Sequence, residues 1–166
     1  DMGSQTGTVC FGQDYDWKAR PSAIRFKYHA TVGLATQNNF TDETGNYPVK
    51  KGDQDRARIY AMIVDWSKRP EVSSGSDKPK GCFDPAKVTS LPNVGNVIAT
   101  AVLMIEESTT SGKMESIEIP FIYYDKTAKP SSNIKVVIAA SANAYGDYMC
   151  GCKDNCLYVD DFEWVY

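Results

Sequence analysis

The most informative feature of the chain is a two-residue rhythm of apolar and polar positions, interrupted by turn-rich segments. Ser22–Val32 opens with Ile24, Phe26 and Tyr28 on one parity and Arg25, Lys27 and His29 on the other, so a strand here faces a core on one side and water on the other. Pro21 suits the entry to that strand. Asp55–Trp66 repeats the pattern, with Ile59, Ala61 and Ile63 predicted inward and Arg58, Tyr60 and Met62 opposite. Val94–Glu106 contains Ala, Leu and Met, but Val97, Ile98, Val102 and Ile105 are β-branched and Gly95 and Gly112 punctuate it, so it reads as a third strand. Met114–Tyr123 and Asn133–Ser141 follow as strands, with Ile117, Ile119 and Phe121, then Ile134, Val136 and Ile138, inward. Pro120 confines its strand to an edge or a bulge. In the closing Cys156–Tyr166 strand, Leu157 and Val159 have one parity, Phe162 and Trp164 the other. A bulge at Asp160–Asp161 brings all four to one face.

Between these runs lie Gln37–Gln54, which is polar, and Ser67–Asn93, which carries no apolar period and is predicted to be the longest irregular region. There is no repeat and no heptad. The pattern is that of an all-β fold, an antiparallel two-sheet sandwich spanning residues 1–166 as one domain.

Composition narrows the function. A net charge of −3 and a pI of about 5.2 argue against nucleic acid, whose phosphates need a basic face. The longest mostly apolar run, Val97–Ile105, is too short to be a membrane span. Five cysteines, Cys10, Cys82, Cys150, Cys152 and Cys156, leave at least one thiol unpaired within the chain; two bridges and one free thiol suit an oxidising compartment, with the pairing open. The C-x-C-x3-C cluster does not have zinc spacing, and His29, the single histidine, lies far from it.

Five segments, in order, carry a resemblance. They are Lys18–Phe26 (KARPSAIRF), Asp55–Ala61 (DRARIYA), Ile117–Tyr123 (IEIPFIY), Pro130–Ser141 with Tyr145-Gly146-Asp147-Tyr148 after it, and Cys156–Phe162 (CLYVDDF). Together they make the chain similar to the bacterial family called the putative carbohydrate metabolism domain. The sequence departs from that family at Cys150–Cys156, where a small Gly-Ser segment is usual. The resemblance implies a jelly-roll sandwich of the galactose-binding-like kind. It also implies a secreted or outer-surface protein of gut-type Gram-negative bacteria, often the C-terminal module of a longer lipoprotein, and carbohydrate as the partner. It transfers no catalytic residue.

Sugar binding needs flat aromatic faces and planar polar groups. Trp17, Trp66, Tyr123, Tyr124, Tyr145 and Tyr148 are the aromatic candidates and Arg20 the planar cation. Trp17, Arg20, Trp66, Tyr145 and Tyr148 are taken as the ligand-binding set, against the alternative that each aromatic caps the core and Arg20 anchors a loop. Non-catalytic carbohydrate binding is the expected function. Glycoside hydrolysis is the alternative, and Asp160–Asp161 and Glu106–Glu107 do not supply its carboxylate pair, because neighbours on a strand point to opposite faces. A structural protein-interaction domain is the third reading. No cofactor is required; calcium is the one candidate ion, with Asp14, Asp16, Asp53, Asp55, Asp160 and Asp161 as oxygen donors, although Asp14-Tyr15-Asp16 lacks the rest of an EF-hand loop. His29 has no G-x-S-x-G elbow or catalytic cysteine pattern to serve.

Overall fold

In a computed structural model, residues 6–42, 44–75, 84–110 and 112–166 are described. In chain order the strands are β1 (Thr6–Cys10), β2 (Gln13–Asp14), β3 (Ala23–Thr31), β4 (Gln37–Asn38), β5 (Ala57–Trp66), β6 (Glu71–Gly75), β7 (Ser90–Leu91), β8 (Gly95–Ile105), β9 (Glu115–Pro120), β10 (Ile122–Tyr123), β11 (Ile134–Ser141), β12 (Cys150–Gly151) and β13 (Cys156–Val165). One 3-10 turn, Gly146–Tyr148, follows β11. The fold is an all-β sandwich. Its main sheet runs β10-β8-β5-β11-β2, with β7 also on β8, and its second sheet runs β13-β3-β9, all antiparallel.

The two sheets close on Ile24, Phe26, Ile59, Ala61, Ile63 and Ile134, which the strand rhythm places inward, together with Ile98 of β8. The expected bulge in β13 is present. Asp160 pairs with Lys27 and Glu163 with Arg25, so Asp161 and Phe162 stand opposite Phe26 alone, and Asp161 takes the left-handed φ of 54° that the extra residue needs. Leu157, Val159, Phe162 and Trp164 therefore all pack on the core. Pro120 lies at the end of β9, an edge strand, where its missing N–H costs no ladder bond.

Three features differ from the sequence reading. Met114–Tyr123 is two strands: β9 pairs with β3, and after Phe121 the chain crosses to the main sheet, where Ile122 pairs with Thr100. Ser67–Asn93 is not wholly irregular. It contains β6, held to β1 by five register pairs, and β7. The β1–β6 ribbon is made mainly by backbone pairing, with a Thr8–Ser73 hydroxyl contact (3.2 Å) across it, so no apolar period announces it. Third, the main sheet is buried on both faces. Tyr60, Met62, Val64 and Trp66, on the parity opposite Ile59, Ala61 and Ile63, join Val97 and Val137 in a second core, covered by Phe11, Val72, Val88, Leu91 and Val94. Where β8 bends into β5, Gly95 has φ 147° and a Cβ there would overlap the Asp65 carbonyl oxygen. Only glycine fits this approach.

Candidate functional site

The cover over the second core is incomplete. Between the β1–β6 ribbon and the outer face of the main sheet lies a cavity of about 410 Å³, within the size of a sugar-binding pocket. Phe11 and Val72 form its apolar wall, and Arg58, Tyr60, Asn143 and Asp147 bring polar groups to it. Arg58 and Tyr60 share it because they are two residues apart on β5 and so point to one face. β11 runs alongside, Ser141 opposite Arg58 and Ala139 opposite Tyr60, and the 3-10 turn then carries Asp147 to the rim.

The electrostatics of the cavity are set by Arg58. Its guanidinium carbon stands 5.6 Å from the centroid of the Tyr60 ring. Its Nε is shielded from solvent and has no hydrogen-bond partner, and no ion pair reaches the group among the described residues. Tyr60 is 6% exposed. Burial pushes its hydroxyl up to about 12, against the opposing pull of Arg58 and with a further push from Asp147. Asn143 presents an amide whose Oδ1 accepts from Cys152 N (3.2 Å) and Asn155 Nδ2 (3.0 Å), which leaves its Nδ2 hydrogens unused by the described protein.

That wall is braced from behind. Asp55, fully buried just before β5, accepts at Oδ2 from Cys152 N and Asn155 Nδ2, both at 2.8 Å. Asn155 Nδ2 also reaches Ala142 O (3.0 Å), and its Oδ1 accepts from Gly33 N (2.8 Å). Gly151, with φ 145°, passes so close that a Cβ would stand 2.7 Å from Asn143 Oδ1. This knot absorbs much of the cysteine-rich loop. Cys10, Cys150, Cys152 and Cys156 are free thiols, the second of the two states, bridged or free, that the sequence left open, and Cys82 lies outside the described residues. Cys150 is a core group against Ala35 and Val49, and burial pushes its thiol up.

The five residues singled out from the sequence do not converge. Trp66 is 0% exposed, in the second core, and Trp17 is buried in the first, so neither ring presents a face to solvent. Arg20 is exposed, yet its guanidinium lies between the Trp17 and Tyr123 rings (5.0 and 5.1 Å) and donates to Ala128 O (2.6 Å) and Asp125 O (3.3 Å). That is the geometry of a loop anchor. Tyr145 and Tyr148 are half-buried against Ala35, Val49 and Cys150, flanking Asp147 rather than lining the cavity with it. Sequence reasoning passed over Arg58 and Tyr60, which it placed on the parity opposite the inward Ile59, Ala61 and Ile63. The available signal was a lone arginine in a strand whose following residues, from Ile59 to Val64, are all apolar or aromatic.

The carboxylates considered for calcium are dispersed. Asp14 pairs with Lys135 (3.0 Å), Asp16 with Lys18 (2.9 Å) and Asp161 with Lys27 (2.7 Å). Among the described residues no group of three His, Cys, Asp or Glu side chains is placed to hold a metal. Nor does the cavity pair two acids: Asp147 is the single carboxylate among the described residues that line it. No helix among these residues is long and apolar enough to cross a membrane.

The chain matches no curated protein. Two solved structures share its fold: a putative glycoside hydrolase from Bacteroides thetaiotaomicron VPI-5482 (TM-score 0.59, 19% identity) and another from Bacteroides vulgatus ATCC 8482 (TM-score 0.56, 19% identity). Each likeness covers 95% of this chain, but only 41% and 56% of those longer chains. The model of the putative carbohydrate metabolism domain matches residues 2–165, nearly the whole length, and to that family this chain belongs.

Proposed function

We propose that the chain is a non-catalytic carbohydrate-binding module and that the cavity beside Arg58 is where a sugar is held. The observation that carries this reading is an arginine with an unpartnered, solvent-shielded Nε, stacked on a buried tyrosine inside a cavity of about 410 Å³. A buried donor left without a partner costs stability, about 1–3 kcal/mol, and a ligand hydroxyl in the cavity would supply the partner that this one lacks. Arg58 and Asn143 supply donors, Asp147 an acceptor, and Phe11 an apolar surface for the C–H face of a pyranose. The single carboxylate among the described lining residues supports binding over hydrolysis, which needs a second carboxyl about 5–9.5 Å from the first. The partial coverage of the two longer structures fits a module that positions a larger protein on its polysaccharide.

Calorimetric titration against a panel of plant and host oligosaccharides tests the reading. At least one sugar is expected to bind, and Arg58→Ala to weaken it about tenfold to a hundredfold, the loss of a charge-assisted hydrogen bond. A sugar that binds the Arg58→Ala protein unchanged would remove the cavity from consideration.

A further inference from the structure

The outer face of the β13-β3-β9 sheet is mostly charged and satisfies itself: Arg25 pairs with Glu118 (2.8 Å) and Glu163 (3.6 Å), and Lys27 with Asp161 (2.7 Å). At one end this changes. His29 and Tyr158 are directly opposite in register, with ring centroids 6.1 Å apart and planes 24° from parallel. Tyr158 is 59% exposed, and the His29 ring lies roughly parallel beside one face of it, so the other face is open to solvent. His29 is itself held: its Nδ1 is 2.6 Å from Thr109 Oγ1, which leaves Nε2 without a partner among the described residues. Beside the pair is a depression of about 370 Å³, walled by Gly112, Lys113, Met114 and Asp160. Lys113 has no ion pair among the described residues, and Asp160, whose Oδ1 accepts the Asp161 N–H (2.8 Å), is near Lys27 without a direct ion pair and keeps its second oxygen for a ligand.

We propose that this depression is a second saccharide site, on the side of the sandwich opposite the Arg58 cavity. A pyranose lays its C–H face on Tyr158, and its hydroxyls reach His29 Nε2, the Lys113 ammonium and the Asp160 carboxylate. The His29 ring backs one face of Tyr158 and leaves the other as the stacking platform. One cation and one anion flank the platform, and a neutral sugar uses both at once, its hydroxyls accepting from Lys113 and donating to Asp160 without adding net charge to the site. The ligand class is therefore a neutral hexose or pentose unit of a chain. Its choice rests on the carbohydrate reading above, but the site shares no residue with the first cavity. Two sites on opposite faces make the module bivalent, able to bridge two polysaccharide chains.

His29 is the only histidine in the chain, so its imidazole proton resonance reports this site alone. The titration uses isotopically labelled protein with cellohexaose, xylohexaose and mannohexaose in turn, and follows that resonance together with the backbone amides of Ser141 and Gly146 at the first cavity. For at least one probe the His29 signal is expected to move saturably. Arg58→Ala leaves that movement intact, while Tyr158→Ala raises its dissociation constant by about threefold to tenfold, the scale of one aromatic contact. The Ser141 and Gly146 shifts show the reverse dependence. A His29 signal that stays fixed while the Gly146 amide moves overturns the second site and spares the first. Movement that survives Tyr158→Ala unchanged also overturns it. Stillness at both sites overturns the carbohydrate reading and this site with it.

Discussion

Replacing Arg58 with methionine separates a binding arginine from a structural one. The change keeps the length of the stem that lies along Tyr60 and removes the charge and the orphaned Nε. An unpartnered buried donor costs about 1–3 kcal/mol, while a cation over an aromatic face at a half-exposed site contributes about 0.5–1 kcal/mol. The first term is the larger, so Arg58→Met is expected to stabilise the free protein by about 1 kcal/mol, seen as a rise of about 2–4 °C in Tm for a chain of this size. Sugar affinity falls in the same variant. Scanning calorimetry with and without the best-binding oligosaccharide checks both, and the ligand-induced rise in Tm is expected to shrink or vanish. A Tm at least about 2 °C below that of the parent protein would refute the reasoning, because it would mean that Arg58 serves the fold.

Four further outcomes follow from the packing. Tyr60 has a folded pKa raised to about 12 against an ordinary value near 10, so its contribution to stability is complete below about pH 10 and is lost as pH rises toward about 12. Absorbance titration of the phenolates is expected to show Tyr60 and Tyr15, also raised to about 12 chiefly by burial, ionising after the exposed tyrosines, and Tyr60→Phe is expected to remove one late step. Gly95→Ala forces a side chain into the Asp65 carbonyl at a positive φ, and chemical denaturation should show a loss of about 2 kcal/mol or more. Deleting Asp161 abolishes the β13 bulge and turns either Leu157 and Val159 or Phe162 and Trp164 away from the core; at about 1.5–3 kcal/mol for each fully buried side chain, less for these half-buried ones, the fold should lose several kcal/mol or fail to form, by the same measurement. Asp55→Ala strips the acceptor from Cys152 N and Asn155 Nδ2, and is expected to cost about 3 kcal/mol and to broaden the Asn143 and Gly146 amide resonances at the cavity.

The sandwich was legible because a strand with one wet face writes its burial into alternate positions. Ile24 and Phe26 against Arg25 and Lys27 gave β3, and the parity break after Val159 located a bulge to within a residue. The site was not legible for the same reason. Alternation identifies two faces but not what covers the second one. Arg58, Tyr60 and Met62 share the parity opposite the inward residues, yet Met62 is buried, Tyr60 nearly so, and Arg58 half so. The covering elements were invisible too. Residues such as Ser73 in β6 and Thr8 in β1 carry no apolar signal, and the ribbon is made by long-range backbone pairing that no local window contains. Trp17, in the Asp14-Tyr15-Asp16-Trp17 loop, and Trp66, at the mouth of the longest predicted loop, drew attention by their position, but both are buried, as large aromatics usually are.

Exposure along one face of β5 shows why the cavity lies where it does. Trp66, Val64 and Met62 are fully covered, Tyr60 is 6% exposed, and Arg58 is half-buried at the end of the series. The segment carrying Val88, Leu91 and Val94 packs on the second core together with Trp66, and Phe11 and Val72 extend the cover as far as Tyr60. Beyond that point, where Ser141 stands opposite Arg58, the cover parts from the sheet and leaves the cavity under β1. An arginine at the edge of a thinning cover is partly desolvated without being paired, which is unfavourable for a free surface and useful for a ligand that brings its own hydroxyls. The same logic separates Arg58 from Arg20. Arg20 is more open to water, yet two carbonyls and two rings already occupy it, so a sugar arriving there would have to displace protein contacts to gain its own. What distinguishes a binding side chain in this sandwich is therefore unmet hydrogen-bonding capacity beside an apolar wall, rather than exposure.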